Sequence, residues 1–189
     1  GWRVEAEGVQ QARWDLLPLG GYAKGFLSGA VLTKSGCPYR CAYCNVTTSF
    51  GGEPVPRNVD DVISEIKSLK AQNIRIVTLT DACFNAPPDY AKKVLRAIIA
   101  SGVKVYLNTG IVPVAGTFDD ELIGLFKKAG GICASLGAET FSEKMLRSYN
   151  KPFSVEDVLD CAALMDRHRI PFMVQALFGG PGEDASTVS

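Results

Sequence analysis

At 189 residues, 47% of them hydrophobic, the chain can bury a core of its own and most simply forms one domain, which excludes a disordered segment. Twenty basic side chains balance twenty acidic ones and no run of Lys or Arg exceeds two residues, so there is no electrostatic footprint for nucleic acid. No apolar stretch reaches the roughly 18 residues that span a bilayer and the amino end lacks a signal core, so a soluble, cytoplasmic protein without a membrane segment is expected.

Residues 1–27 are mixed and Gly-rich, with Trp2, Trp14 and the run Trp14-Asp15-Leu16-Leu17-Pro18-Leu19, and read as a lead-in lying across a domain that occupies 28–189. Residues 28–33 are short and apolar, fitting a buried strand that feeds a cysteine-bearing loop. Apolar residues at Val59, Val62, Ile63, Ile66 and Leu69 predict a helix over 59–69, and a strand follows over 74–79. A helix over 90–99 enters through Pro87 and Pro88, stops at Gly102 and precedes a strand over 103–107. The next helix, 119–128, ends at Gly130 and Gly131 before a strand over 132–136. Helical pieces over 141–149 and 154–169, the latter with a capping box at Ser154 and Asp157, lead to a strand over 171–178. Beyond it comes a Gly-rich turn, then Asp184 or Ser186 as the cap of a helix.

Strands alternating with helices at roughly thirty-residue spacing read as right-handed parallel crossover units, in a barrel or in an open doubly wound sheet. Periodicity does not separate the two. In a barrel the working groups gather where strands end and their loops begin. The polar endings there are the cysteine loop; Thr80, Asp81 and Cys83; Asn108 and Thr109; Glu139 and Thr140; and the turn over 179–183.

Between Ser35 and Asn45 the chain reads S-G-C-P-Y-R-C-A-Y-C-N, with thiols at Cys37, Cys41 and Cys44. Such a set can give one thiolate to each of three irons of a cubane cluster, leaving one iron without a protein ligand, since an electron-transfer cluster takes four. Core thiols on one helix face are an alternative, but Gly36 and Pro38 suit a loop better than a helix interior. Zinc is another, although closed zinc sites want four ligands and the only histidine, His168, lies far along the chain. The clustered thiols read as metal ligands in a reducing compartment rather than as disulfides. Cys83, Cys133 and Cys161 stand singly and read as buried thiols, with Cys83 on the working rim; His168 reads as a cation at a helix carboxyl end.

At these residues the sequence resembles the radical S-adenosylmethionine (radical SAM) superfamily: C-P-Y-R-C-A-Y-C is similar to its C-x3-C-x-aromatic-C signature. The resemblance implies an α/β fold, a partial parallel (β/α)6 TIM-like barrel, stopping here after the fifth strand and leaving that strand as an edge. It implies a 4Fe-4S cluster on Cys37, Cys41 and Cys44, with S-adenosylmethionine on the open iron, cleaved by one electron to a 5'-deoxyadenosyl radical. Tyr43 matches the family's adenine-side aromatic residue. Thr80 and Asp81 stand where the family's Gly-Gly-Glu-like loop holds the methionine ammonium, with Asp81 as acceptor, although T-D-A-C-F-N-A-P departs from that pattern. Glu139 matches a strand-end position that contacts the ribose or amino acid part, Gly179 and Gly180 resemble a Gly-x-Pro-Gly-Glu turn near the adenine, and Asn108 and Gln175 complete the candidate cofactor contacts. No catalytic acid, base or radical-quenching residue is assigned.

Within the superfamily, W-D-L-L-P-L-G-G-Y, D-A-C-F-N-A-P and L-F-G-G-P-G-E resemble the cobalamin-binding members, which implies methylation of an unactivated centre in a small-molecule substrate. The cobalamin domain would lie outside this chain, with 1–27 as the linker from it, and the electron would come from an external donor such as flavodoxin or ferredoxin. A cobalamin-free radical SAM oxidoreductase or methylthiotransferase, and a non-catalytic iron-sulfur or zinc protein, are the alternatives.

Overall fold

Short apolar strands separated by amphipathic helices can satisfy their backbones only by pairing side by side, and the crossovers force that pairing to be parallel. The computed structural model describes residues 12–17, 19 and 28–188. The main sheet contains β1 (Ser28–Val31), β4 (Ile76–Leu79), β5 (Tyr106–Ile111), β6 (Gly131–Glu139) and β7 (Phe172–Ala176), in that spatial order and with every neighbour parallel. The order never reverses, so the sheet has no switch point of the doubly wound kind.

The helices α2 (Val59–Ala71), α3 (Pro88–Ala100), α4 (Asp120–Lys128) and α6 (Val155–Arg167) pack as successive neighbours, α2 on α3, α3 on α4 and α4 on α6. Their apolar stripes meet one face of the sheet, where Val31, Val77, Leu79, Leu107, Ile111, Ala134, Leu136 and Ala138 are buried. The residues that alternate with these, Ser28, Thr78, Asn108, Ser135 and Gly137, line the opposite face, which stays partly open. Helices on one side only, with a small and polar inner face, make a partial barrel of the expected kind.

Local chemistry accounts for the boundaries. Asn58 accepts from the Asp60 amide to start α2, Asp119 accepts from the Leu122 amide to start α4, and Ser154 and Asp157 form the expected capping box on α6. His168 is the carboxyl cap of α6 and its Nε2 lies 2.9 Å from Asp120. A short α5 (Glu143–Ser148) precedes α6, and α7 (Ala185–Val188) follows Asp184, whose carboxylate accepts from the Ser186 amide.

Three features differ from the sequence reading. The third strand of the sheet runs 106–111 instead of 103–107, because burial alternates onward through Leu107, Thr109 and Ile111, so Asn108 and Thr109 lie within a strand rather than at its end. A small antiparallel pair, β2 (Lys34–Ser35) with β3 (Val55–Pro56), closes the base of the cysteine loop, and a short helix α1 (Val46–Phe50) lies inside that loop. Cys133 is only half-buried, since it falls on the inner face of β6, whereas Cys83 and Cys161 are buried as expected. Of the lead-in, Trp14 packs on the core and donates from Nε1 to Glu65 at 3.0 Å, and Leu19 is buried; the rest of 1–27, with the expectation of a linker there, lies outside the described residues.

β7 sits at the edge of the sheet with both faces largely exposed, Met173 at 58% and Val174 at 40%. No helix of the described residues is long and apolar enough to cross a membrane.

Candidate metal centre

β1 ends beneath a loop whose neck is the β2–β3 pair, with Lys34 opposite Pro56 and Ser35 opposite Val55. Gly36 turns the chain out of that pair at φ +78°, and a Cβ there would lie 2.2 Å from the Glu53 carbonyl oxygen. Both the left-handed backbone and the close approach demand glycine. Gly36→Ala is therefore expected to open the neck and to lower the iron retained by the reconstituted protein at least about tenfold, read by iron analysis, while the far side of the sheet keeps its fold.

Within the loop, the Cys37 amide donates to the Gly51 carbonyl at 3.3 Å and the Cys44 amide to the Cys41 carbonyl at 3.1 Å. All three thiols are free, and their exposure rises from buried Cys37 through Cys41 to exposed Cys44. Burial pushes the Cys37 thiol up, and charge on Cys41 and Cys44 pushes it the same way. A cavity of about 400 Å³ lined by Arg40, Cys41, Ala42, Thr47, Thr48 and Gly52 opens against the loop.

As the side chains stand, no three His, Cys, Asp or Glu residues among those described are gathered to hold a metal ion. The donor set fits a cluster by its chemistry: three free thiols on one loop that each bind a different iron need not converge on a single point, as the ligands of one zinc must. Cys83 packs against Cys37 and Ala86, which makes it the nearest candidate for a fourth ligand. Its thiol donates to Asn85 Oδ1 at 3.5 Å, and burial pushes its pKa up to about 12.

Tyr43 stands 48% exposed beside the third cysteine. Its ring meets the Tyr149 ring edge-on at 5.6 Å, and Lys151 Nζ lies 5.1 Å from its centroid. Burial raises the Tyr43 hydroxyl above its ordinary pKa, and the adjacent Glu139 carboxylate raises it further. Glu139 ends β6 in a left-handed conformation, φ +66°, and Lys151 Nζ is 3.2 Å from its Oε1. Gln175 reaches the same place: its Oε1 and Glu139 Oε1 lie 3.9 and 3.8 Å from where a Cβ on Gly137 would stand. In the turn after β7 the Gly179 amide donates to Glu183, and a Cβ on Gly180 would meet the Tyr149 hydroxyl at 2.0 Å. Tyr43, which the cysteine loop carries, thus lies on one side of the rim with Lys151, Glu139, Gln175 and Gly180.

Two candidate residues sit deeper than their expected place at strand ends. Asp81 is not an open acceptor: its carboxylate is fully buried, taking hydrogen bonds from the Thr33 amide at 2.7 Å, Thr33 Oγ1 at 2.5 Å, the Lys34 amide at 3.1 Å and Lys34 Nζ at 3.2 Å. A buried carboxylate takes whatever donors are at hand, and here the chain itself supplies them. Asn108 lies below the rim on the inner face, in register with Thr78 and Cys133. Thr80 is exposed above β4, its amide donating to the Val31 carbonyl at 3.0 Å.

Sequence reasoning missed Lys34, Asn85 and the segment Tyr149-Asn150-Lys151. Asn85 is fully buried and ties the loop after β4 to the loop after β5, donating to the Val112 carbonyl at 2.8 Å and accepting from the Val112 amide at 3.0 Å. For the third group, the signal that could have found it is the turn sequence Asn150-Lys151-Pro152.

The superfamily model described as Radical SAM matches residues 31–189. A tryptophan 2-C-methyltransferase from Streptomyces laurentii is 30% identical over 179 residues, which is 88% of this chain and 30% of that protein. The radical S-adenosylmethionine methyltransferase TsrM from Kitasatospora setae superposes with a TM-score of 0.85 at 29% identity, over 96% of this chain and 38% of that one. Its structures hold tryptophan substrate with a SAM analogue in one case, and cobalamin with a [4Fe-4S] cluster in another. The cobalamin-dependent radical enzyme OxsB shares the fold, with a TM-score of 0.72 at 18% identity over 89% of this chain. The chain thus spans well under half the length of these relatives. A curved, one-sided parallel sheet, three free thiols at its mouth and a superfamily match over most of its residues have one common explanation: the chain belongs to the radical SAM superfamily.

Proposed function

We propose that these residues form the cluster- and S-adenosylmethionine-binding core of a cobalamin-dependent methyltransferase acting on a small molecule. The observation that carries the reading is that Tyr43, carried by the three-thiol loop, meets Lys151, whose ammonium pairs with Glu139 at the carboxyl end of β6. The likeness to tryptophan methyltransferases in both sequence and fold supports it.

Cys37, Cys41 and Cys44 would hold a 4Fe-4S cluster, which supplies one electron to a sulfonium ligand when both are bound. The electron reaches it from an external donor of the flavodoxin or ferredoxin type. Tyr43 offers an aromatic wall and Glu139 a carboxylate whose charge Lys151 partly offsets, suited to the polar part of S-adenosylmethionine. Gly180 lets the turn after β7 lie against the Tyr149 ring. Cobalamin would come from a domain outside these residues.

The full-length protein, reconstituted anaerobically with iron, sulfide and cobalamin and given a reductant and methyl-deuterated S-adenosylmethionine, is expected to transfer label to a small-molecule acceptor. Deoxyadenosine without any labelled product would replace this reading with a cobalamin-free radical enzyme, and no consumption of S-adenosylmethionine would remove the catalytic reading altogether.

A further inference from the structure

The turn between α5 and α6 touches the cysteine loop, Glu139 and the turn at Gly180, although no part of the family signature lies in it. The Tyr149 carbonyl accepts from the Ala42 amide at 2.8 Å, and Asn150 Nδ2 donates to the Arg40 carbonyl at 2.6 Å, so two consecutive residues grip the backbone on either side of Cys41. Lys151 comes next, with its ammonium 3.2 Å from Glu139 and 5.1 Å from the Tyr43 ring centroid, and its side chain only 6% exposed. Behind them the Tyr149 ring packs edge-on against Tyr43 and fills the space under Gly180. Asn150 adopts φ +53°, a conformation that Asn tolerates better than most residues and that turns its amide back toward the cysteine loop.

We propose that Tyr149-Asn150-Lys151 is a positioning strap, which fixes the spacing between the thiol loop and the Glu139 carboxylate and so sets how a cofactor can lie across both. The inference deepens the proposed function and rests on it for the identity of the cofactor. The division of labour follows from the contacts. Asn150 and the Tyr149 carbonyl act on the loop, and hence on how firmly a cluster is kept. Lys151 acts on Glu139, and hence on ligand affinity rather than cluster retention. Outer partners of this sort typically change binding by about ten- to a hundredfold when removed.

Three variants of the full-length protein separate these roles. Lys151→Met is expected to keep the wild-type iron content while its dissociation constant for S-adenosylmethionine rises about tenfold, and Lys151→Arg is expected to return it to within about threefold. Asn150→Gly, which keeps the left-handed backbone, is expected to speed hydrogen exchange at the Ala42 amide and loss of iron to a chelator, each about tenfold, with affinity per cluster unchanged. Wild-type affinity in Lys151→Met, a loss that Arg does not rescue, or an unchanged Ala42 amide in Asn150→Gly would overturn the strap. The exchange arm is read on the metal-free protein, so it judges the strap even where wild-type protein binds no cluster, an outcome that would count against the functional reading alone.

Discussion

Cys41→Ser is expected to leave the protein folded but without its cluster, and turnover of S-adenosylmethionine is expected to fall more than about a thousandfold. A serine hydroxyl is a harder donor that stays protonated, so it does not replace a thiolate on iron. The fold survives because Cys41 is only partly buried and packs in no core. The contrast is Cys83→Ala, four residues beyond the end of β4 and packed against Cys37. It removes a buried thiol that stands outside the three-cysteine motif, so iron content is expected to stay at the wild-type level while stability falls by about 1–2 kcal/mol for the cavity left. Iron and sulfide analysis with electron paramagnetic resonance reads the first effect, and urea unfolding of the metal-free protein reads the second. Cluster loss in Cys83→Ala with the Cys41 variant intact would reverse the assignment of ligands.

Asp81→Ala is expected to be the most destabilising of the substitutions considered. The side chains of Asp81 and Lys34 are 0% and 1% exposed, and removing the carboxylate strands the ammonium with only the Phe84 carbonyl at 2.8 Å and the faces of Phe84 and Tyr90 at 5.4 and 5.9 Å. Breaking one partner of a buried pair costs about 3–5 kcal/mol, a large part of the roughly 5–15 kcal/mol that holds a domain together. The Thr33 amide and hydroxyl lose their acceptor as well, at the point where β1 turns toward the cysteine loop. Replacing Lys34 with Met alongside Asp81→Ala should recover part of the loss by removing the stranded charge. Urea unfolding measures both. A variant as stable as wild type that bound S-adenosylmethionine poorly would instead return Asp81 to the ligand.

How far the chain could be read follows the range of the forces involved. Helix stripes such as Val62, Ile63, Ile66 and Leu69, the caps at Asn58, Asp119 and Ser154, and the spacing of Cys37, Cys41 and Cys44 are local, so they are written within a few residues of one another. The strand over 106–111 was misplaced because Val103, Val105 and Leu107 alternate as well as the residues that form it. What decided between them was pairing with β4, whose Ile76 stands opposite Tyr106.

The sequence by itself determined the crossover fold, the three-thiol loop and the superfamily, because each depends on residue type at short spacing. Only the tertiary structure decided that Asp81 pairs with Lys34 and Thr33, and that Lys151 pairs with Glu139. Asp81 lies 47 residues from Lys34, and Lys151 lies 111 residues from Arg40 while its neighbour Asn150 holds that residue's carbonyl. Which partner a buried charge finds depends on which strand ends the sheet brings side by side, and no periodicity along the chain carries that information.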